Sequence, residues 1–170
     1  MRKNKILILG HARHGKDTVA RMLADELCWD YLPTSVYILD SLVYGKVQKA
    51  KGYDSVAEAY KNRDEDRVLW KLIIDTYTKG EPTKLIKDVL KRSDVYIGLR
   101  NSIQLKEAIK ENLFDIIIGV FSPKLPLEET NEIDVFDHSD FIIYNNGTYE
   151  ELSQKVIRAA KFIKNNNTKT

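Results

Sequence analysis

Cysteine is almost missing from this chain: Cys28 is the only one in 170 residues. An intramolecular disulfide is thereby excluded, a reducing compartment fits, and buried packing is the expected role of the lone thiol. A surplus of charge is missing too. Lys and Arg number 27 against 25 Asp and Glu, a net of +2, so no broad positive field exists to hold a nucleic-acid backbone or an anionic membrane. Any anion site must be local. Long apolar runs are also missing: after the basic start Met1-Arg2-Lys3-Asn4-Lys5, only Ile6 to Leu9 is continuously apolar. That is too short for a signal peptide or a membrane span, and it makes the cytoplasm the expected location. Proline (4) and glycine (8) are scarce enough that each glycine is worth locating. What is present is ordinary for a folded domain: 43% hydrophobic residues exclude global disorder, and the length suits one domain with a real core.

Ile6-Leu7-Ile8-Leu9, ending at Gly10, reads as a strand buried on both faces, as in a parallel sheet. From Lys16 onward Val19, Ala20, Leu23, Ala24 and Leu27 fall on one helical stripe. Trp29 to Leu32 reads as a second short strand stopped by Pro33, after which Thr34 or Ser35 caps a helix through Gly45. Beyond a break at Gly52, Ser55 to about Tyr77 reads as one long helix with Arg63, Arg67 and Trp70 on a shared face. A further helix carries Leu85, Ile86, Val89 and Leu90, and Asp94 to Gly98 reads as the third strand. Asn101 or Ser102 caps the next helix, Phe114 to Phe121 is the fourth strand, Phe141 to Tyr144 the fifth, and Thr148 caps the last helix. Residues 165–170 are polar and expected to fray. The alternation predicts a three-layer α/β domain over 1–164, with a five-stranded, mainly parallel sheet flanked by helices. It carries a helical region over about 34–92 and a short lid or loop over about 122–139.

The segment Gly10-His11-Ala12-Arg13-His14-Gly15-Lys16-Asp17 has the G-x-x-x-x-G-K spacing of the P-loop NTPases up to its last position. The physics asks for this arrangement. Gly10 and Gly15 let the backbone turn the amides of Ala12, Arg13 and His14 inward, the helix from Lys16 adds its positive end, and the lysine ammonium reaches the outer phosphates. The motif alone covers many NTPases and implies a nucleoside triphosphate with Mg²⁺. Where Ser or Thr normally meets the magnesium ion, this chain has Asp17 and then Thr18. Asp17 either ligates the metal, as a hard oxygen donor, or favours the helix N-terminus, and both roles stay open. His11 and His14 form no recognisable zinc set, and their side chains are expected to face solvent or the nucleotide.

Gly15-Lys16-Asp17-Thr18 resembles the G-K-D-T ending of phage-type deoxynucleoside monophosphate kinases and of the related phosphomevalonate kinases. Asn62-Arg63, Arg67, Trp70 and Tyr77, then Asp94 to Asn101, resemble the middle of the phage kinases, and Asp140 to Thr148 with Glu150-Glu151-Leu152 resembles their last block. The resemblance implies a single P-loop kinase domain, ATP-dependent phosphorylation of a (deoxy)nucleoside monophosphate, and a cytoplasmic location, the host's for a phage-encoded chain. It also implies that Arg100 grips the acceptor phosphate.

Phosphoryl transfer needs positioning and charge neutralisation more than a reactive side chain. Lys16, Arg13 and Arg100 are therefore the candidate catalytic cations. Arg100 follows Gly98 at the carboxyl end of a strand, the edge where parallel sheets bind ligands. Ser35, Arg63, Arg67 and Trp70 are candidate acceptor contacts, with helix capping, local ion pairs and core packing as the competing readings. No acidic residue closes an apolar strand, and residues 122–139 contain no arginine. Two alternatives stay open: a kinase for another small acceptor of the phosphomevalonate or dephospho-coenzyme A type, and a nucleotide-binding regulator without turnover. The expected partner is the monophosphate substrate, with no membrane and no nucleic acid. Monomer and homodimer are both open.

Overall fold

The computed structural model describes residues 3–129 and 131–167; Met1, Arg2, Thr130 and residues 168–170, with the end of the expected frayed tail, lie outside the described residues. Strands β1 (Ile6–Leu9), β2 (Val95–Ile97), β3 (Ile116–Phe121) and β4 (Phe141–Tyr144) form one parallel sheet in the order β2-β1-β3-β4. Ile6 stands opposite Val95 on one side and Ile116 on the other, and Ile118 opposite Phe141. All four residues of β1 are buried, because the pleat sends alternate side chains to opposite layers.

Ile6 and Ile8 pack with Val19 and Leu23 of helix α1 (Lys16–Leu27) and with Val156 and Ile163 of the last helix, α9 (Tyr149–Asn167). Leu7 and Leu9 enter the opposite layer. That layer is built from α2 (Thr34–Ile38), a π turn over Leu39–Val43, α3 (Tyr44–Lys51), α4 (Val56–Lys61), α5 (Arg67–Tyr77), α6 (Lys84–Leu90) and α7 (Ser102–Lys110). A short α8 (Val135–His138) precedes β4. The chain runs from β1 to β2 on one side of β1 and then, through α7, to β3 on the other. Neighbours of β1 thus connect in opposite senses, and the crevice beyond its carboxyl end is where open parallel sheets hold ligands. None of the helices among the described residues is long and apolar enough to cross a membrane.

The described residues hold four strands, not five, because Trp29 to Leu32 is extended chain without a ladder. Its hydrogen bonds are scattered instead of laddered: Asp30 N–H donates to the Asp94 carboxylate at 2.9 Å and Leu32 N–H to Ser93 Oγ at 3.2 Å, while Asp30 O accepts from Asp94 N–H at 2.7 Å and Trp29 N–H turns back to Ala24 O. Pro33 then has no N–H to offer. Pro33, not Thr34 or Ser35, occupies the N-cap of α2; the Thr34 hydroxyl accepts from Ile97 N–H at 3.4 Å. The helix does not stop at Gly45 but runs through the π turn to Lys51, closed by Gly52.

The long helix expected over Ser55 to Tyr77 is two helices. At the break Arg63 N–H bonds Tyr60 O and Glu65 N–H bonds Asn62 O, the short-range bonds of a turn. Asp66 is buried, accepting from Tyr53 Oη at 2.7 Å with Lys51 Nζ at 3.5 Å, and this fixes the chain's exit. Arg63 is therefore separated from the helix that carries Arg67 and Trp70. Cys28 is exposed rather than buried, with φ +53°, and closes α1. Other expectations hold in detail: Asn101 Oδ1 accepts from Ile103 and Gln104 N–H, both at 3.0 Å, and Thr148 and Glu151 cap α9 reciprocally.

Candidate functional site

The loop between β1 and α1 lies at the carboxyl edge of the sheet, and its two glycines are sterically required. Gly10 has φ +153°, and a Cβ there would stand 2.6 Å from Val120 O of β3 and 3.1 Å from the Lys16 stem. Gly15 has φ +98°, and a Cβ would meet the Asn145 amide at 2.5 Å. Asn145 joins the loop: its Nδ2 donates to His14 O at 3.1 Å, tying the end of β4 to it. Gly15 caps α1 without a side chain, so the first-turn amides have no capping oxygen. Arg13 holds φ +66° on the exposed part of the loop; Ala12 and Asp17 are also exposed and Thr18 half-buried.

Lys16 is buried, and its ammonium donates to His11 O at 2.6 Å. Burial first, then the nearby Arg100 guanidinium, lower its pKa, with Asp17 and Glu128 opposing. The lysine therefore shares its surroundings with Arg100, although 84 residues separate them in sequence.

The two histidines overturn the expectation that they face solvent or nucleotide: His14 is fully buried and His11 nearly so. Ser122 N–H donates to His14 Nδ1 at 3.2 Å, and His14 Nε2 lies 3.1 Å from Pro126 O. An N–H on one side and a carbonyl on the other fix a neutral ring with its proton on Nε2. Glu128 N–H donates to His11 Nδ1 at 3.0 Å. Burial first, and then His14, hold the His11 pKa below its ordinary value, which keeps Nδ1 free to accept. The cofactor contact expected of the His14 side chain is thus replaced by attachment of residues 122–128 to the glycine loop.

That attachment delivers Glu128, which sequence reasoning missed. Its Oε2 accepts from Ala12 N–H at 3.1 Å, and its Oε1 lies 3.0 Å from Arg67 Nη2 and 3.2 Å from Arg100 Nη2. One carboxylate, 12% exposed, thereby joins the glycine loop, the first residue of α5 and the chain after β2. No local pattern announces it, since Ala12 is 116 residues away.

Of the other expected acceptor contacts, Ser35 Oγ lies 3.2 Å from Tyr60 Oη, and Arg63 covers the Tyr60 ring at 4.3 Å from its centroid while donating to Tyr60 O. Tyr31, absent from the sequence reading, has a buried hydroxyl without a hydrogen-bond partner among the described residues. Burial, then the charge of Asp17, push its pKa up, with Tyr60 adding to the effect. Trp70 is buried in the core, its indole N–H without a partner among the described residues. A separate concavity of about 690 Å³ runs along β4 and α9 from Asp140 to Phe162; Lys155 and Arg158 line it, but neither the glycine loop nor Arg67 or Arg100 does.

No known family model matches the chain, and no curated protein matches it.

Proposed function

We propose that the chain is a small P-loop kinase that moves the γ-phosphoryl group of ATP onto a (deoxy)nucleoside monophosphate. One observation carries the reading: a glycine loop, a buried lysine and two arginines distant in sequence converge beyond the carboxyl end of β1, around a single carboxylate. That donor set suits phosphate oxygens, which accept from backbone amides and from guanidinium forks.

In this mechanism Lys16 and the loop amides from Ala12 to Thr18 hold the donor phosphates. Arg100 and Arg67 hold the acceptor phosphate, and Tyr31, Ser35, Tyr60 and Arg63 form the wall along which the nucleoside lies. An acceptor phosphate oxygen attacks the γ-phosphorus, the bond to the β-phosphate oxygen breaks, and ADP and a nucleoside diphosphate result. Lys16, Arg13 and Arg100 neutralise the charge that develops. Asp17 is exposed beside Lys16, and no group of three His, Cys, Asp or Glu side chains suited to a metal occurs among the described residues. This fits magnesium held mainly by phosphates and water with one carboxylate, and does not fit an all-protein cage. Asp17 and Thr18 would be its protein contacts, and the ion supplies charge neutralisation across the phosphate oxygens when bound.

Release of ADP from ATP, followed across the natural monophosphates, tests the reading. Turnover should depend on one or a few of them, and Lys16→Ala should abolish it with the circular dichroism spectrum unchanged; full activity in that variant refutes the assignment. A second reading, a nucleotide-binding regulator, is favoured by Ser122, which follows β3 where a carboxylate would help hold magnesium. Tight ATP binding without transfer to any acceptor, including phosphomevalonate and dephospho-coenzyme A, would select it.

A further inference from the structure

The Glu128 carboxylate is held as a phosphate would be. Its two oxygens accept from a glycine-loop amide and from two guanidinium groups, three donors contributed by residues 12, 67 and 100. Two arginines and the neighbouring buried Lys16 outnumber the carboxylates that face them, Glu128 and, on the lysine, Asp17, so a phosphate dianion suits the same donors better. Arg67 and Arg100 are 59% and 44% exposed, open to a ligand, whereas the carboxylate they share is only 12% exposed and also holds a backbone amide, which an ordinary surface ion pair does not.

The backbone of residues 122–128 is tied to the glycine loop by neutral bonds: Ser122 N–H and Pro126 O to His14, and Glu128 N–H to His11. Neutral bonds of this kind are the modest ones, whereas bonds between phosphate and guanidinium are charge-assisted. Exchange of the carboxylate for a phosphate is therefore within reach. The two oxygens also divide the work: Oε2 holds the donor side at Ala12, and Oε1 holds the acceptor side at Arg67 and Arg100.

We propose that Glu128 is a built-in competitor for phosphate, and that its displacement couples the donor and acceptor subsites. A phosphate that takes Arg67 and Arg100 removes the carboxylate from the Ala12 amide as well, and a polyphosphate on the loop removes it from the arginines. Each ligand then binds more tightly in the presence of the other, because the carboxylate is displaced only once. The same linkage makes the effect reciprocal. The inference rests on the assignment of the loop and arginines to phosphate, and adds that the chain regulates its own occupancy.

Titration calorimetry with inorganic triphosphate and inorganic phosphate tests it without a base or sugar. Wild type should bind triphosphate several-fold more tightly at saturating phosphate. Glu128→Gln, which keeps the shape and removes the charge, should bind triphosphate alone about 10-fold more tightly than wild type and lose the dependence on phosphate. Glu128→Ala should behave alike, and unchanged thermal midpoints and circular dichroism show that both variants fold. If wild type binds triphosphate and both variants bind it equally or more weakly, Glu128 supports the site instead of competing for it, and the proposal falls while the phosphate assignment stands. If neither wild type nor variants bind triphosphate, the phosphate assignment itself fails and takes the proposal with it.

Discussion

Replacing Gly10 by alanine should damage the glycine loop more than any other single methyl group added in it. The backbone there has φ +153°, in a region reserved almost entirely for glycine, and a non-glycine residue held there costs about 1–3 kcal/mol. The new Cβ would stand 2.6 Å from Val120 O, a backbone atom of β3 that cannot rotate away, and 3.1 Å from the Lys16 side chain. Overpacking of that kind adds roughly 1–3 kcal/mol. Together the two effects come to about 2–6 kcal/mol, since strain and clash act on the same residue and are relieved by different movements. Gly45→Ala provides the contrast: nothing lies within 4 Å of its Cβ position, and alanine in a helix should stabilise by about 0.5–1 kcal/mol. Urea unfolding should therefore show the Gly10→Ala midpoint falling by more than about 1 M while the Gly45→Ala midpoint rises slightly, with similar slopes. A Gly10→Ala protein as stable as wild type would refute the claim that the loop is pressed against β3 and the lysine stem.

Two further outcomes follow from the same geometry. Arg100→Ala should lower kcat/KM for the monophosphate by about 10–100-fold, the value of one charge-assisted contact, while the KM for ATP moves less; an equal loss for both substrates would remove Arg100 from the acceptor side. Neutral His11 accepts the Glu128 N–H, among the charges and rings of His14, Lys16, Glu128 and Asp134. Because its folded pKa lies below the ordinary 6.5, the unfolded chain takes up the proton first; this part of the stability is complete above that pH and declines as pH falls toward the folded value. Urea midpoints should thus drop as pH falls below 6.5 more steeply in wild type than in His11→Phe; parallel curves would contradict it.

The sequence was legible where neighbours in the chain decide the outcome. Ile6 to Leu9 became a doubly buried strand, Gly10 to Lys16 became a loop with two residues that only glycine satisfies, and the Asn101 and Thr148 caps formed as their local patterns demand. It misled where a distant partner outcompetes local preference. Trp29 to Leu32 has strand composition, but the Ser93 and Asp94 side chains take the amides of Asp30 and Leu32. The helical pattern through Arg63 and Arg67 is real on each side, yet the buried Asp66 with Tyr53 and Lys51 sets a turn between them. Arg67 and Arg100 were visible as isolated cations; their meeting on Glu128 was not, because the carboxylate comes from an acidic, proline-bearing loop that looks solvated in one dimension. The buried histidines follow from the same long-range docking.

The central claim, that this arrangement transfers a phosphoryl group between nucleotides, is tested most directly by following the label from ATP carrying a labelled γ-phosphoryl group. With the monophosphate that best stimulates ADP release, the account predicts that the label appears in the corresponding diphosphate, in step with ADP, and that Lys16→Ala forms none. Label released only as inorganic phosphate, at a rate indifferent to every monophosphate, would contradict it.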